Sequence, residues 1–129
     1  MAYGVLMCIE GKESVIRFFA TWGEEIRFRL KRTALKRLGK QLVSFSEGKR
    51  KKVCVRIARE LTVTAERDYK GAACLLRFEF VWENPTLLMP SDNEFNYTGF
   101  AKEDIADFGR QLIQYKKTGR AAIGHVKGA

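Results

Sequence analysis

Leu35-Lys36-Arg37-Leu38-Gly39-Lys40-Gln41-Leu42-Val43-Ser44-Phe45 and Ile105-Ala106-Asp107-Phe108-Gly109-Arg110-Gln111-Leu112-Ile113-Gln114-Tyr115 are one pattern written twice, 70 positions apart. Gly39, Gln41 and Leu42 meet their own kind at Gly109, Gln111 and Leu112. Leu30, Leu35, Leu38, Val43 and Phe45 fall on Phe100, Ile105, Phe108, Ile113 and Tyr115. Apolar residues at three- and four-residue spacing share one side of an α-helix. The spacing therefore predicts two amphipathic helices, over about residues 33–45 and 102–117. Each carries a glycine in mid-helix, which costs about 1 kcal/mol relative to alanine. Close approach of the helix to a sheet would offset that cost.

Outward from the helices the period changes to two. Val5 to Ile9 reads as a first strand, and Gly11 to Glu13 as a turn. Ser14 to Trp22 reads as a second strand, with Ile16, Phe18, Ala20 and Trp22 on one face. Gly23-Glu24 turns the chain. Ile26 to Lys31 then alternates, so Arg27, Arg29 and Lys31 share a basic wet face. Thr33 is the expected N-cap of the first helix, and Gly48 with Lys49 to Lys52 ends it.

In the second half, Val53 to Ile57 and Leu61 to Ala65 read as strand. Asp68 to Gly71 suits a hairpin turn, and Ala72 to Trp82 is a long strand broken at Asn84-Pro85. Pro90 argues for an edge or loop over 86–91. Glu94 to Thr98 is the last strand before the second helix, and residues 120–129 are a weak strand or a tail. The predicted fold is α+β: an antiparallel sheet or sheets with two helices, built by repeating a strands-then-helix unit. The chain reads as a single domain over 1–129, with repeats at about 1–58 and 59–119.

The 129 residues are enough to bury a sizeable core. Their 46% apolar and 30% charged content is ordinary for a globular protein. No apolar run is long enough to span a membrane. Met1 to Gly11 lacks the basic lead and apolar length of a secretory signal, so a cytoplasmic location is expected. Cys8, Cys54 and Cys74 are widely spaced within apolar runs and are expected to be reduced, buried thiols, with no zinc-like pairing.

The net charge of +9 is confined to one half. Residues 1–70 hold 17 Lys/Arg against 8 Asp/Glu, whereas residues 71–129 hold 7 of each. One positive face and an anionic partner are the expectation. The residues assigned to that face are Arg27, Arg29, Lys31, Lys49, Arg50, Lys51, Lys52 and Arg56.

Nothing in the chain nominates chemistry. His125 is the only histidine, no glycine-rich phosphate loop follows a strand, and the paired carboxylates Glu24-Glu25 and Glu103-Asp104 lie at a turn and a helix start. No catalytic residue, metal ligand or cofactor is predicted, and the protein is read as a non-enzyme. Single-strand binders join a basic groove to aromatic platforms. Here Phe18, Phe28, Phe45, Phe78, Phe80 and Phe108 fall on core stripes. That leaves Phe19, Trp22, Tyr69 and Trp82 as candidates for exposure.

Two resemblances follow. The repeated strands-then-helix unit resembles the Whirly and Pur-repeat architecture, which implies single-stranded DNA or RNA binding. Residues 60–119 run as a strand, the Asp68-Tyr69-Lys70-Gly71 turn, a long strand and a helix with Asp104-Ile105, Phe108 and Gln111-Leu112. That stretch resembles bacterial immunity proteins of contact-dependent and polymorphic toxin systems. The second resemblance implies a cytoplasmic antitoxin, monomeric or homodimeric, that binds a cognate toxin domain without catalysis. Immunity proteins against nucleases are usually acidic. A basic one implies an acidic toxin surface, or contact through the neutral second half. The immunity reading is taken as the first expectation, and the nucleic-acid module as its alternative.

Overall fold

Among the described residues, period-two alternation and helical stripes resolve into eleven elements. The computed structural model describes residues 3–19, 24–67, 73–80 and 94–126. The order is β1 (Tyr3–Glu10), β2 (Glu13–Phe19), β3 (Glu24–Phe28), α1 (Arg32–Ser46), β4 (Lys52–Ala58), β5 (Leu61–Arg67), β6 (Cys74–Phe80), β7 (Glu94–Phe100), α2 (Lys102–Ile113), α3 (Tyr115–Thr118) and β8 (Arg120–His125). The fold is α+β, with two four-stranded antiparallel sheets ordered β3-β2-β1-β8 and β4-β5-β6-β7.

Each sheet is three consecutive strands completed by a strand from the other half. β1, β2 and β3 lead into α1, after which β4 crosses to pair with β5. β5, β6 and β7 lead into α2 and α3, after which β8 returns to pair with β1. Residues 120–125, expected as a weak strand or tail, are thus the counterpart of β4. The 70-residue register holds from β3 and β7 through the helices. It fails upstream because residues 81–93 join β6 to β7 where only 20–23 join β2 to β3.

The inner faces of the two sheets meet in an aromatic cluster. Phe18 of β2 stacks on Phe95 at 4.3 Å between centroids and meets Phe78 edge-on at 5.3 Å, while Phe28 meets Phe80 edge-on at 6.0 Å. Such pairs add about 0.5–1.5 kcal/mol each to the burial of their area. The helices close the core. Leu35, Leu38, Leu42, Ile105, Phe108 and Leu112 are all fully or almost fully buried, as are Phe45 and Tyr115. Each stabilises the fold by about 1.5–3 kcal/mol relative to an exposed side chain.

Several expectations need correction. The mid-helix glycines serve a helix–helix contact and not a helix–sheet contact: a Cβ on Gly39 would lie 2.4 Å from the Gly109 carbonyl oxygen. Thr33 is not the N-cap. Lys31 holds that position, extended and without a side-chain cap bond, its N–H donating to the Ile57 carbonyl at 2.8 Å. The second helix stops at Ile113 and resumes as the single turn α3. Residues 68–71, 81–93 and Ala20 to Gly23, where turns and strand ends were expected, lie outside the described residues.

Candidate binding surface

α1 buries Ala34, Leu35, Leu38, Gly39, Leu42 and Phe45 on one side. The same periodicity forces Arg32, Lys36, Arg37 and Lys40 onto the other side, where all four are exposed. Arg32, Lys36 and Lys40 follow one another at four-residue spacing, so their charges repel along one line of the helix. No carboxylate lies in the first turn of α1, and none of these four side chains forms an ion pair among the described residues. Arg32 stands at the positive end of the helix dipole, the unfavourable end for a cation.

α2 occupies the equivalent place and follows the opposite rule. Glu103 and Asp104 fill its first turn, and Arg110 its last. The Asp104 Oδ2 accepts the Ala101 N–H at 3.0 Å, and the Asp104 N–H bonds the Ala101 carbonyl at 3.1 Å. α2 thus balances Lys102, its counterpart of Arg32, with carboxylates in the same turn, whereas α1 has no carboxylate to set against its cations.

The basic surface continues past the end of α1. Lys49, Arg50, Lys51 and Lys52 are exposed on the turn into β4, and Gly48 takes a positive φ of 79° there. Arg50 Nη1 donates to Gln41 Oε1 at 3.1 Å, which holds the turn against the helix. Gly48, Arg50, Lys51 and Lys52 line an open cleft of about 570 Å³ with Glu66 and Arg67 from the end of β5. Lys49 pairs with Glu47 at 3.4 Å. Arg56 is exposed on the outer face of β4, two residues along from the exposed Cys54. The expectation that all three thiols are buried holds for Cys74 alone: Cys8 is half-buried, and Cys54 is exposed because β4 turns Lys52, Cys54 and Arg56 away from the core.

The structure divides the predicted face. Arg29 and Lys31 are exposed, but they lie past the end of β3 at Phe28, in the connection to α1. Arg27 is not available as a free cation. It belongs to a closed ring in which Glu10 and Glu25 each bridge Arg17 and Arg27, at 2.8–3.2 Å. Val15, opposite Arg27 in the register and two residues before Arg17, is fully buried although it faces away from the main core. Aliphatic arginine stems can roof an apolar side chain in this way. The second sheet repeats the device around Arg77 of β6, which reaches Glu66 on β5 and Glu94 and Asn96 on β7.

Arg29 and Lys31 stand at one end of α1 and Lys49 to Lys52 at the other, roughly 20 Å apart for a helix of this length. What joins them is the line Arg32, Lys36 and Lys40 with Arg37. The legible signal was the absence of any Asp or Glu from Lys31 to Ser46. No aromatic side chain stands on this surface among the described residues: Phe19 is half-buried on β2, and Trp22, Tyr69 and Trp82 lie outside the described residues.

A smaller cleft of about 180 Å³ is lined by Tyr3, Asp104, Asp107 and the strand Ala122–His125. Its carboxylates are engaged, Asp104 by Ala101 and Asp107 by the Gln111 side chain at 2.8 Å. Among the described residues no three His, Cys, Asp or Glu converge as a metal site, and no helix is long and apolar enough to cross a membrane. The chain matches no protein-family model, no curated protein and no solved structure with which it was compared.

Proposed function

We propose that this protein is a binding protein without chemistry of its own, and that its partner is an acidic protein domain docked on the exposed face of α1. One observation carries the reading. Of two equivalent helices, α1 alone sets four cations on its exposed side with no carboxylate anywhere along the helix and no ion pair to them among the described residues, an arrangement that does not serve folding. Residues that oppose stability in this way are expected at functional surfaces.

The likeness of residues 60–119 to toxin-immunity proteins gives the partner its class: a cognate bacterial toxin domain, held one-to-one in the cytoplasm and neutralised by occlusion. An acidic surface on that domain would meet the basic helix, and complementary charge would speed their encounter. A single-stranded nucleic acid would also satisfy the charge. The aromatic stacking that such binders use has no counterpart on the described surface.

The deciding experiment is co-purification and calorimetry with the product of the adjacent upstream gene, where the proposal places the toxin domain, together with titration of a dT20 oligonucleotide at rising salt. The expected result is a one-to-one complex with the domain, weakened at least tenfold by Lys36→Glu with Lys40→Glu, and no saturable oligonucleotide binding at 150 mM salt. Tight oligonucleotide binding whose logarithm falls linearly with log salt, with no complex with the domain, would replace the reading by the nucleic-acid one.

A further inference from the structure

We infer that the cleft between the 48–52 turn and the end of β5 is the anchoring subsite of that docking surface, and that it takes the carboxylates of an acidic protein segment. The inference rests on the proposed function and extends it to a specific pocket.

The first argument is charge. Arg50, Lys51, Lys52 and Arg67 converge on a space of about 570 Å³ whose only acidic lining residue among those described is Glu66. Glu66 is already committed to Arg77 on the neighbouring strand, at 3.5 Å. No described carboxylate pairs with Lys51, Lys52 or Arg67, so the described lining carries an excess of positive charge. Its two guanidinium groups have the planar fork that carboxylates match with paired hydrogen bonds. Arg50 is already tethered by Gln41, so part of its ordering cost is met before anything binds.

The second argument is area. The exposed side of one 15-residue helix is about 22 Å long and 10 Å wide. That falls well short of the roughly 800 Å² per partner of a stable complex. The Arg50–Gln41 bond makes the cleft continuous with the helix, so a partner covering both gains the missing area. The described lining residues include no aromatic ring, which favours an acidic polypeptide over nucleotide bases.

The test is a backbone-amide NMR titration of the full chain with three probes at 50 mM salt: a hexaglutamate peptide, inorganic phosphate and a dT12 oligonucleotide. The expected result is saturable shifts at Gly48, Lys51, Lys52 and Arg67 with the peptide, weakened at least fivefold by Arg67→Glu and by the milder Arg67→Gln. Arg110→Glu, on the exposed side of α2, should leave the cleft shifts in place. Peptide shifts confined to Arg32, Lys36 and Lys40 would overturn the cleft while leaving helix docking intact. No peptide response at either surface would overturn both. Phosphate saturating the cleft as tightly as the peptide would mean an adventitious ion site only. Saturation by dT12 alone would assign the cleft to nucleic acid.

Discussion

Gly39 and Gly109 face each other across the helix pair, each backbone occupying the space where the other's side chain would be. A Cβ on Gly39 would lie 2.4 Å from the Gly109 carbonyl oxygen, and one on Gly109 would lie 2.7 Å from that of Gly39. The contact is reciprocal because the two helices are related by the repeat.

Gly39→Ala should therefore destabilise the protein by about 2 kcal/mol or more, since overpacking outweighs the roughly 1 kcal/mol that alanine gains in a helix. Gly109→Ala should behave alike. The double variant should lose less than the summed effects, because one separation of the helices relieves both clashes. Urea unfolding followed by circular dichroism measures this. Stabilisation by either single substitution would contradict the close crossing.

Gln111 should matter more than Gln41, although the two are one position repeated. Gln111 accepts the Ala122 N–H and donates to the Ala122 carbonyl, both at 2.9 Å, so its amide pairs the free edge of β8 as a further strand would. Among the described residues, the Gln41 side chain bonds only Arg50. Gln111→Ala should cost about 1–2 kcal/mol and speed hydrogen exchange at Ala122. Gln41→Ala should cost less and leave β4 exchange unchanged.

Lys36→Glu should raise stability while weakening the proposed complex. A glutamate there would face Arg32 four residues before it and Lys40 four residues after, and each such pair is worth about 0.2–0.5 kcal/mol at low salt. A thermal melt at low and high salt reads the gain, which should shrink with salt. A stability loss would show that the positive line of α1 serves the fold after all.

Stability should decline at alkaline pH. Burial pushes the Cys8 and Cys74 thiols up, and burial likewise raises the Tyr115 phenol, opposed in part by Ser14. A folded state that holds an acid neutral keeps its full contribution below the unfolded pKa and loses it as pH rises through the folded value. The urea midpoint should thus fall from about pH 8.5 upward, the ordinary thiol range, and Cys74→Val should flatten the fall. At pH 8 a thiol reagent should modify the exposed Cys54 first, and Cys54→Ser should remove that fast phase. A fast phase that survives in Cys54→Ser would place another thiol at the surface.

The two helices, most of the strands and the α+β class were legible because each is written in local periodicity. Leu35, Leu38, Leu42 and Phe45 cannot share a buried face in any other regular backbone. Ion pairing was not legible. The alternation over Ile26 to Lys31 puts Arg27 on a wet face, but no local pattern reveals that Glu10, many residues earlier on β1, closes a ring around it. Exposure of Cys54 was hidden for the same reason, since an apolar run of strand does not say which side the second sheet will cover.

By itself the sequence determined a repeated unit, two stripes of core residues and a positive first half, because hydropathy and charge are properties of neighbours along the chain. Only the tertiary structure decided that β4 and β8 exchange sheets, that two glycines meet across a helix crossing, and which of the many cations stay unpaired. Those outcomes depend on residues far apart in sequence brought within a few ångströms, where backbone packing and ion pairing act and local pattern carries no record of them.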